Sequence, residues 1–184
     1  MFNLNRLSLQ VLITTSVIDF KNVMKKILAI LATILPMLSM SPKLSAQEAQ
    51  THPVLVANRS GSVSLVYHPL KNYVGKGQPT LLFFWASQYD DCREEATFLQ
   101  TLHQQFKGLT VLGVPIDGEI DATTTAMKEL RLTFPQFFDM DDLLYDHYGV
   151  DGIPYTVLLN PRGEVIAENL HGDDLVKAVD ECLR

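Results

Sequence analysis

One stretch concentrates the side chains able to do chemistry: Phe83 to Ala96, FFWASQYDDCREEA. An apolar segment ends at Trp85, a short turn follows, and Cys92 then enters a charged segment with Asp90, Asp91, Arg93, Glu94 and Glu95. A thiol at the start of a helix is a candidate nucleophile, because the helix N-terminus stabilises its thiolate. Disulfide exchange with turnover takes two thiols, one to attack and one to resolve the mixed disulfide. The chain's other cysteine is Cys182, far along the sequence. Metal chemistry has less support. His52, His68, His103, His147 and His171 show no paired ligand spacing. Asp139, Asp141, Asp142 and Asp146 lack the glycine and terminal glutamate of a calcium loop and read as a solvated segment. No C-x-x-C-H marks haem attachment. No cofactor and no metal are expected.

The elements that must position Cys92 follow from hydrophobic periodicity. Leu81 to Trp85 is an uninterrupted apolar run, as in a strand buried on both faces. Asp90 to Phe106 predicts a helix, with Ala96, Leu99, Leu102 and Phe106 on one face and Gly108 closing it. Val111 to Ile116 reads as a second strand and Ala122 to Leu132 as a second helix. Residues 137–152 read as an acidic loop with a short helical turn. Tyr155–Leu159 and Glu164–Glu168 flank Asn160-Pro-Arg-Gly163, the composition of a tight hairpin turn. Asp173 to Leu183 predicts the last helix. Upstream, Val54–Ala57 and Ser62–Tyr67 form a small hairpin around Asn58–Gly61, with 47–53 as a polar linker. The order β-α-β-α-β-β-α after that hairpin gives an α/β three-layer sandwich on a mixed sheet.

The N-terminus reads differently. Met24-Lys25-Lys26, the apolar run Ile27–Leu38 and the small residues Ser45 and Ala46 have the make-up of an export signal cleaved near Ala46. The run is too short for a membrane span, which needs about 20 apolar residues. Translation is expected to start at Met24. The chain carries a net charge of −6. Without residues 1–46, which hold five basic residues and one acidic residue, the remainder carries −10. That charge repels phosphate backbones and anionic lipids, so nucleic-acid and stable membrane binding are excluded as expectations.

Four segments in order resemble the thioredoxin fold, and more narrowly the exported TlpA/ResA-like thiol-disulfide oxidoreductases: LLFFWAS (Leu81–Ser87), CREE (Cys92–Glu95), FPQFFD (Phe134–Asp139) and YGVDGIPYTVLLNPRGEVI (Tyr148–Ile166). The resemblance covers nearly all of residues 62–184. It implies a thioredoxin-like sandwich, a cis Ile153–Pro154 bond facing the redox turn, and a C-x-x-C whose second cysteine is Cys92. Tyr89 stands at the first cysteine's position and Gln88 at its neighbouring Trp. The resemblance makes Cys92 the resolving thiol, buried about one turn into the helix, with Glu95 as the acid kept near it. Burial and the four neighbouring acids should raise its pKa more than the helix dipole lowers it. In this fold Cys92 opens one helix and Cys182 closes another, too far apart for a disulfide, so two free thiols are expected. A peroxiredoxin is a weaker resemblance, since Ala86 and Tyr89 stand where Pro and Thr shape its peroxide pocket.

These observations divide the chain into an export region (1–46), a linker with the first strand (47–61) and a thioredoxin-like domain (62–184), monomeric and periplasmic or extracellular. Two functions follow. In one, a groove lined by Trp85, Tyr89, Ile153 and Pro154 holds a polypeptide without dithiol turnover. In the other, Cys92, assisted by Glu95, forms mixed disulfides with a protein thiol partner and an external thiol resolves them.

Overall fold

The computed structural model describes residues 50–184 except Arg59; the expected export signal and start site lie outside the described residues. Seven strands and four α-helices follow in the order β1 (Thr51–Ala57), β2 (Val63–Pro69), β3 (Thr80–Trp85), α1 (Asp90–Gln105), β4 (Thr110–Pro115), α2 (Ile120–Glu129), β5 (Gln136–Phe137), α3 (Leu143–His147), β6 (Tyr155–Leu159), β7 (Val165–Glu168) and α4 (Gly172–Leu183). They build one mixed sheet in the order β2-β1-β5-β4-β3-β6-β7. β3 is parallel to β4 and antiparallel to β6.

β3 is central because every one of its residues is apolar or buried, and its alternation feeds two cores. Leu81, Phe83 and Trp85 join α1, α2 and α4 on one face, with Leu99, Met127 and Val179. Leu82 and Phe84 join Leu70, Leu112 and Leu144 on the other, where α3 and the loops cover the sheet. Full burial of each such large side chain contributes about 1.5–3 kcal/mol. The thioredoxin-like sandwich expected from the sequence is the observed architecture.

Four details differ from the sequence expectation. β1 begins at Thr51, within the segment read as a linker, because His52 packs on Phe137 (ring centroids 4.9 Å apart) and Val54 is buried. β1 also pairs with β5, so the first strand belongs to the same sheet as the rest, and no boundary separates it at residue 61. β5 was not anticipated, and α2 ends earlier than expected because Arg131 is left-handed (φ 55°).

Candidate functional site

Because β3 and β4 run together and β6 runs against them, the C-terminal ends of β3 and β4 share one edge of the sheet with the start of β6. That edge collects the turn after Trp85, the residues after Pro115, and Ile153–Pro154, whose peptide bond is cis. Tyr89 is the N-cap of α1 and Cys92 lies three residues on, in its first turn. One helical turn sends the two side chains to different environments: Tyr89 is 54% exposed, whereas Cys92 is 0% exposed in the core with Ala96 and Leu99. Ile153 and Pro154 are half-buried.

The turn is held from outside. The Ser87 backbone N–H donates to both carboxylate oxygens of Asp117 (2.8 and 2.9 Å), just after β4. Arg93 donates to the Ser87 carbonyl (3.3 Å) and pairs with Glu129 (2.8 Å). Charge-assisted bonds of this kind are stronger than neutral ones.

Burial pushes the Cys92 thiol up; a backbone hydrogen bond with Ala86 pulls it down, and the charges of Asp117, Asp91 and Glu95 push it up again. The direction matches the sequence argument, as do Asp91 and Glu95 among its causes; Asp117, acting from across the turn, is a further one. Cys92 and Cys182 are both free thiols, and burial raises Cys182 as well.

Glu95 reaches the same region from the next turn of α1. Its side chain is 15% exposed and its Oε1 lies 3.4 Å from His171 Nδ1. That contact is close enough for an ion pair when His171 is protonated, but its geometry does not make a hydrogen bond.

Trp85 does not line a groove. It is fully buried, stacked with Phe83 (5.9 Å, 15°), and its indole N–H donates to Gln136 Oε1 (2.9 Å). Ile116, just after β4, is exposed instead, and its backbone N–H donates to the Trp85 carbonyl at 2.9 Å. Sequence reasoning also passed over Asp117, Gln136 and His171. An acid directly after an apolar strand was the available signal for Asp117; nothing local marked the other two.

The AhpC/TSA family model matches residues 63–168, more than half of the chain. The chain belongs to the AhpC/TSA family. Within it, the chain is 30% identical over 93 residues to the thiol-disulfide oxidoreductase ResA of Bacillus subtilis, a match covering 50% of this chain and 52% of that protein. The chain thus spans about half the length of that curated relative. Among solved structures it is similar to the thioredoxin domain of a thiol-disulfide oxidoreductase from Bacteroides vulgatus, with TM-score 0.56 and 25% identity over 75% of this chain and 98% of that one. A secreted Mycobacterium tuberculosis disulfide oxidoreductase shares the fold at 21% identity and TM-score 0.54, over 69% of this chain and 94% of that one.

Proposed function

We propose that this protein uses the redox-site end of a thioredoxin-like fold to hold an extended polypeptide, without dithiol turnover. The observation that carries the reading is the contrast between positions 89 and 92. The exposed residue opening α1 is a tyrosine, and the cysteine one turn in is fully buried with a raised pKa. A phenol titrates near pH 10 and forms no disulfide. An exposed aromatic beside Ile116 and the Ile153–Pro154 segment is instead a suitable anchor for a bound chain. On this reading the nucleophilic cysteine found in related oxidoreductases is lost here. The basic and apolar N-terminal segment, together with the secreted state of the M. tuberculosis relative, supports export.

A second reading keeps thiol chemistry. The ResA relative is a thiol-disulfide oxidoreductase, and the Ala86 backbone hydrogen bond favours the Cys92 thiolate. Cys92 would then attack one sulfur of a substrate disulfide and form a mixed disulfide, expelling the other sulfur as a thiolate. An external thiolate would attack the substrate sulfur of that bond and restore Cys92, leaving a new mixed disulfide between substrate and external thiol. Peroxide reduction gains no support from a thiol this buried.

The deciding experiment is the rate of iodoacetamide labelling of Cys92 in the folded chain from pH 5 to 10, with peptide-level mass spectrometry separating it from Cys182. The binding reading expects slow labelling with a midpoint above about 9, since an unperturbed thiol titrates near 8.5. Fast labelling with a midpoint below about 7.5 marks a tuned thiolate and would replace it with the second reading.

A further inference from the structure

The surface around Tyr89 carries a second feature besides its apolar anchors. The N-termini of the three long helices lie near this end of the fold. α1 begins at Asp90, directly after Tyr89. The segment leading into α2 holds Asp117, which bonds the Ser87 turn. α4 begins beside His171, which contacts Glu95 of α1. Each start brings carboxylates: Asp90 and Asp91 on α1, Glu119 and Asp121 at α2, Asp173 and Asp174 on α4. Asp151 adds another, two residues before Ile153. Apart from the half-buried Asp117, which is engaged by Ser87, these side chains are exposed and have no ion-pair partner among the described residues.

Acids in a first helical turn ordinarily complement the helix dipole. That term is too small to absorb them here. A helix N-terminus carries about +0.5 charge, less than one carboxylate, and each of these helices has at least one acid in its first turn with further acids nearby. The cations that might compensate are few: on α4, Lys177 stands three to four residues from both Asp173 and Asp174, one cation against two acids, and forms an ion pair with neither among the described residues. Arg93 is paired with Glu129. Lys128 sits in the last turn of α2, and Lys107 follows the end of α1. Tyr89 and Ile116, whose backbone N–H donates to the Trp85 carbonyl at 2.9 Å, are thus both exposed at an end of the fold where acids outnumber the nearby cations.

We infer that the occupant of this surface is a cationic polypeptide segment: an apolar residue seated against Tyr89 and Ile116, flanked by lysine or arginine. This rests on the groove reading of the preceding section and adds the chemistry of the partner. Apolar contact supplies the anchor, and complementary charge raises the encounter rate and rejects acidic chains.

The test uses the full chain and three labelled peptides with the same apolar core, flanked by lysine, serine or glutamate, followed by fluorescence anisotropy. The lysine peptide is expected to bind at least about tenfold tighter than the glutamate peptide at low salt. The margin should shrink as ionic strength rises from about 0.01 to 0.15 M and the Debye length falls from roughly 30 to 8 Å. Asp151→Asn, a loop change that touches no helix cap, should weaken the lysine peptide and leave the serine peptide unchanged. Equal affinity for all three peptides, with binding lost in Tyr89→Ala, would overturn the charge inference and leave the groove standing. Binding of none of them would overturn the groove reading, and the inference with it.

Discussion

Gln136 and Gly113 offer the sharpest test of how the fold presents this site. Gly113 lies on β4 directly opposite Gln136 on β5. A Cβ built on Gly113 would lie 2.0 Å from Gln136 Oε1, 2.6 Å from its Cδ and 2.8 Å from its Nε2. Gln136 is fully buried. Its amide accepts from the Trp85 indole N–H at 2.9 Å and donates to the Phe134 carbonyl at 3.2 Å. Gly113→Ala must displace that amide, so it should leave the indole N–H without its partner, at about 1–3 kcal/mol. The extra methyl adds overpacking of about 1–3 kcal/mol. The sum, about 2–6 kcal/mol, is a large part of a typical domain's stability of about 5–15 kcal/mol. With a urea slope of about 1–3 kcal/mol/M, a loss near the middle of that range moves the midpoint by more than about 1 M. Trp85 is the chain's one tryptophan, so its emission reports both unfolding and the polarity around the indole. In Gly113→Ala/Gln136→Ala the clash is gone, and the double variant should be at least about 1 kcal/mol more stable than additivity of the single changes predicts. A Gly113→Ala cost below about 0.5 kcal/mol, within the range of an ordinary surface change, would refute the reasoning. So would strict additivity in the double variant.

Asp117→Asn keeps an acceptor for the Ser87 N–H but removes a charge that raises the Cys92 thiol, so the midpoint of Cys92 labelling should move to lower pH; an unchanged or higher midpoint would contradict the assigned cause. Burial raises Cys92 and Cys182 in the folded state. Their contribution to stability is fully present below the unfolded thiol value near 8.5 and is lost as pH rises through the folded values. Stability should therefore fall on the alkaline side, and Cys92→Ala should flatten that fall in urea melts at stepped pH. Burial lowers His103, with Lys107 adding to the effect. That contribution is present above about 6.5 and is lost as pH falls through the lower folded value, so His103→Gln should reduce the acid-side slope. Tyr89→Ala is expected to leave stability within about 0.5 kcal/mol while weakening peptide binding, and calorimetry on both properties separates anchor from scaffold.

Much of this architecture was legible because local chemistry and tertiary role agreed. Leu81–Trp85 reads as a doubly buried strand, and each residue is buried. Asn160 and Gly163 read as a hairpin turn, and the Asn160 carboxamide oxygen accepts from the Arg162 and Glu164 N–H groups while Gly163 takes φ 85°. What failed to show depends on partners distant in sequence. β5 is two residues long and owes its strand character to Gly113 and Leu55 on its neighbours. Gln136 is polar within an apolar stretch, and its fit is explained by the side chain that Gly113 lacks. Residues 47–53 read as a linker because they are polar, yet Pro53, which has no N–H to donate, pairs with Tyr67 of β2 and accepts from the Phe138 N–H at 3.0 Å. At the site, Cys92 was marked by its place at the head of a predicted helix, and Tyr89 by the resemblance, which puts it at the first position of a C-x-x-C turn. Trp85 was open to two readings, a contact platform beside the turn or the commoner core aromatic; it was placed in the groove, and the structure gives the core, with its N–H satisfied there.

Positions 89 and 92 differ in how freely they can change, and that difference suggests what one substitution would do. Cys92 is enclosed in the core cluster with Trp85, Ala96 and Leu99, where side-chain volume is constrained. Tyr89 projects from the cap, and its side chain makes no hydrogen bond that fixes the turn; the Ser87–Asp117 and Arg93 contacts do that. The turn geometry should therefore persist in Tyr89→Cys. With a rise of about 1.5 Å per residue on a cylinder of about 2.3 Å radius, alpha carbons three residues apart lie about 5 Å from one another, within the range a disulfide spans. Tyr89→Cys should form an intramolecular disulfide under mild oxidation, seen as a loss of two hydrogens by mass. On the proposed reading it should also reduce a disulfide substrate catalytically in the presence of excess dithiol, at a higher rate than the parent. If the variant folds but forms no such bond, the tyrosine at position 89 does not account for the proposed lack of dithiol turnover, and the turn itself has departed from an exchange-competent shape.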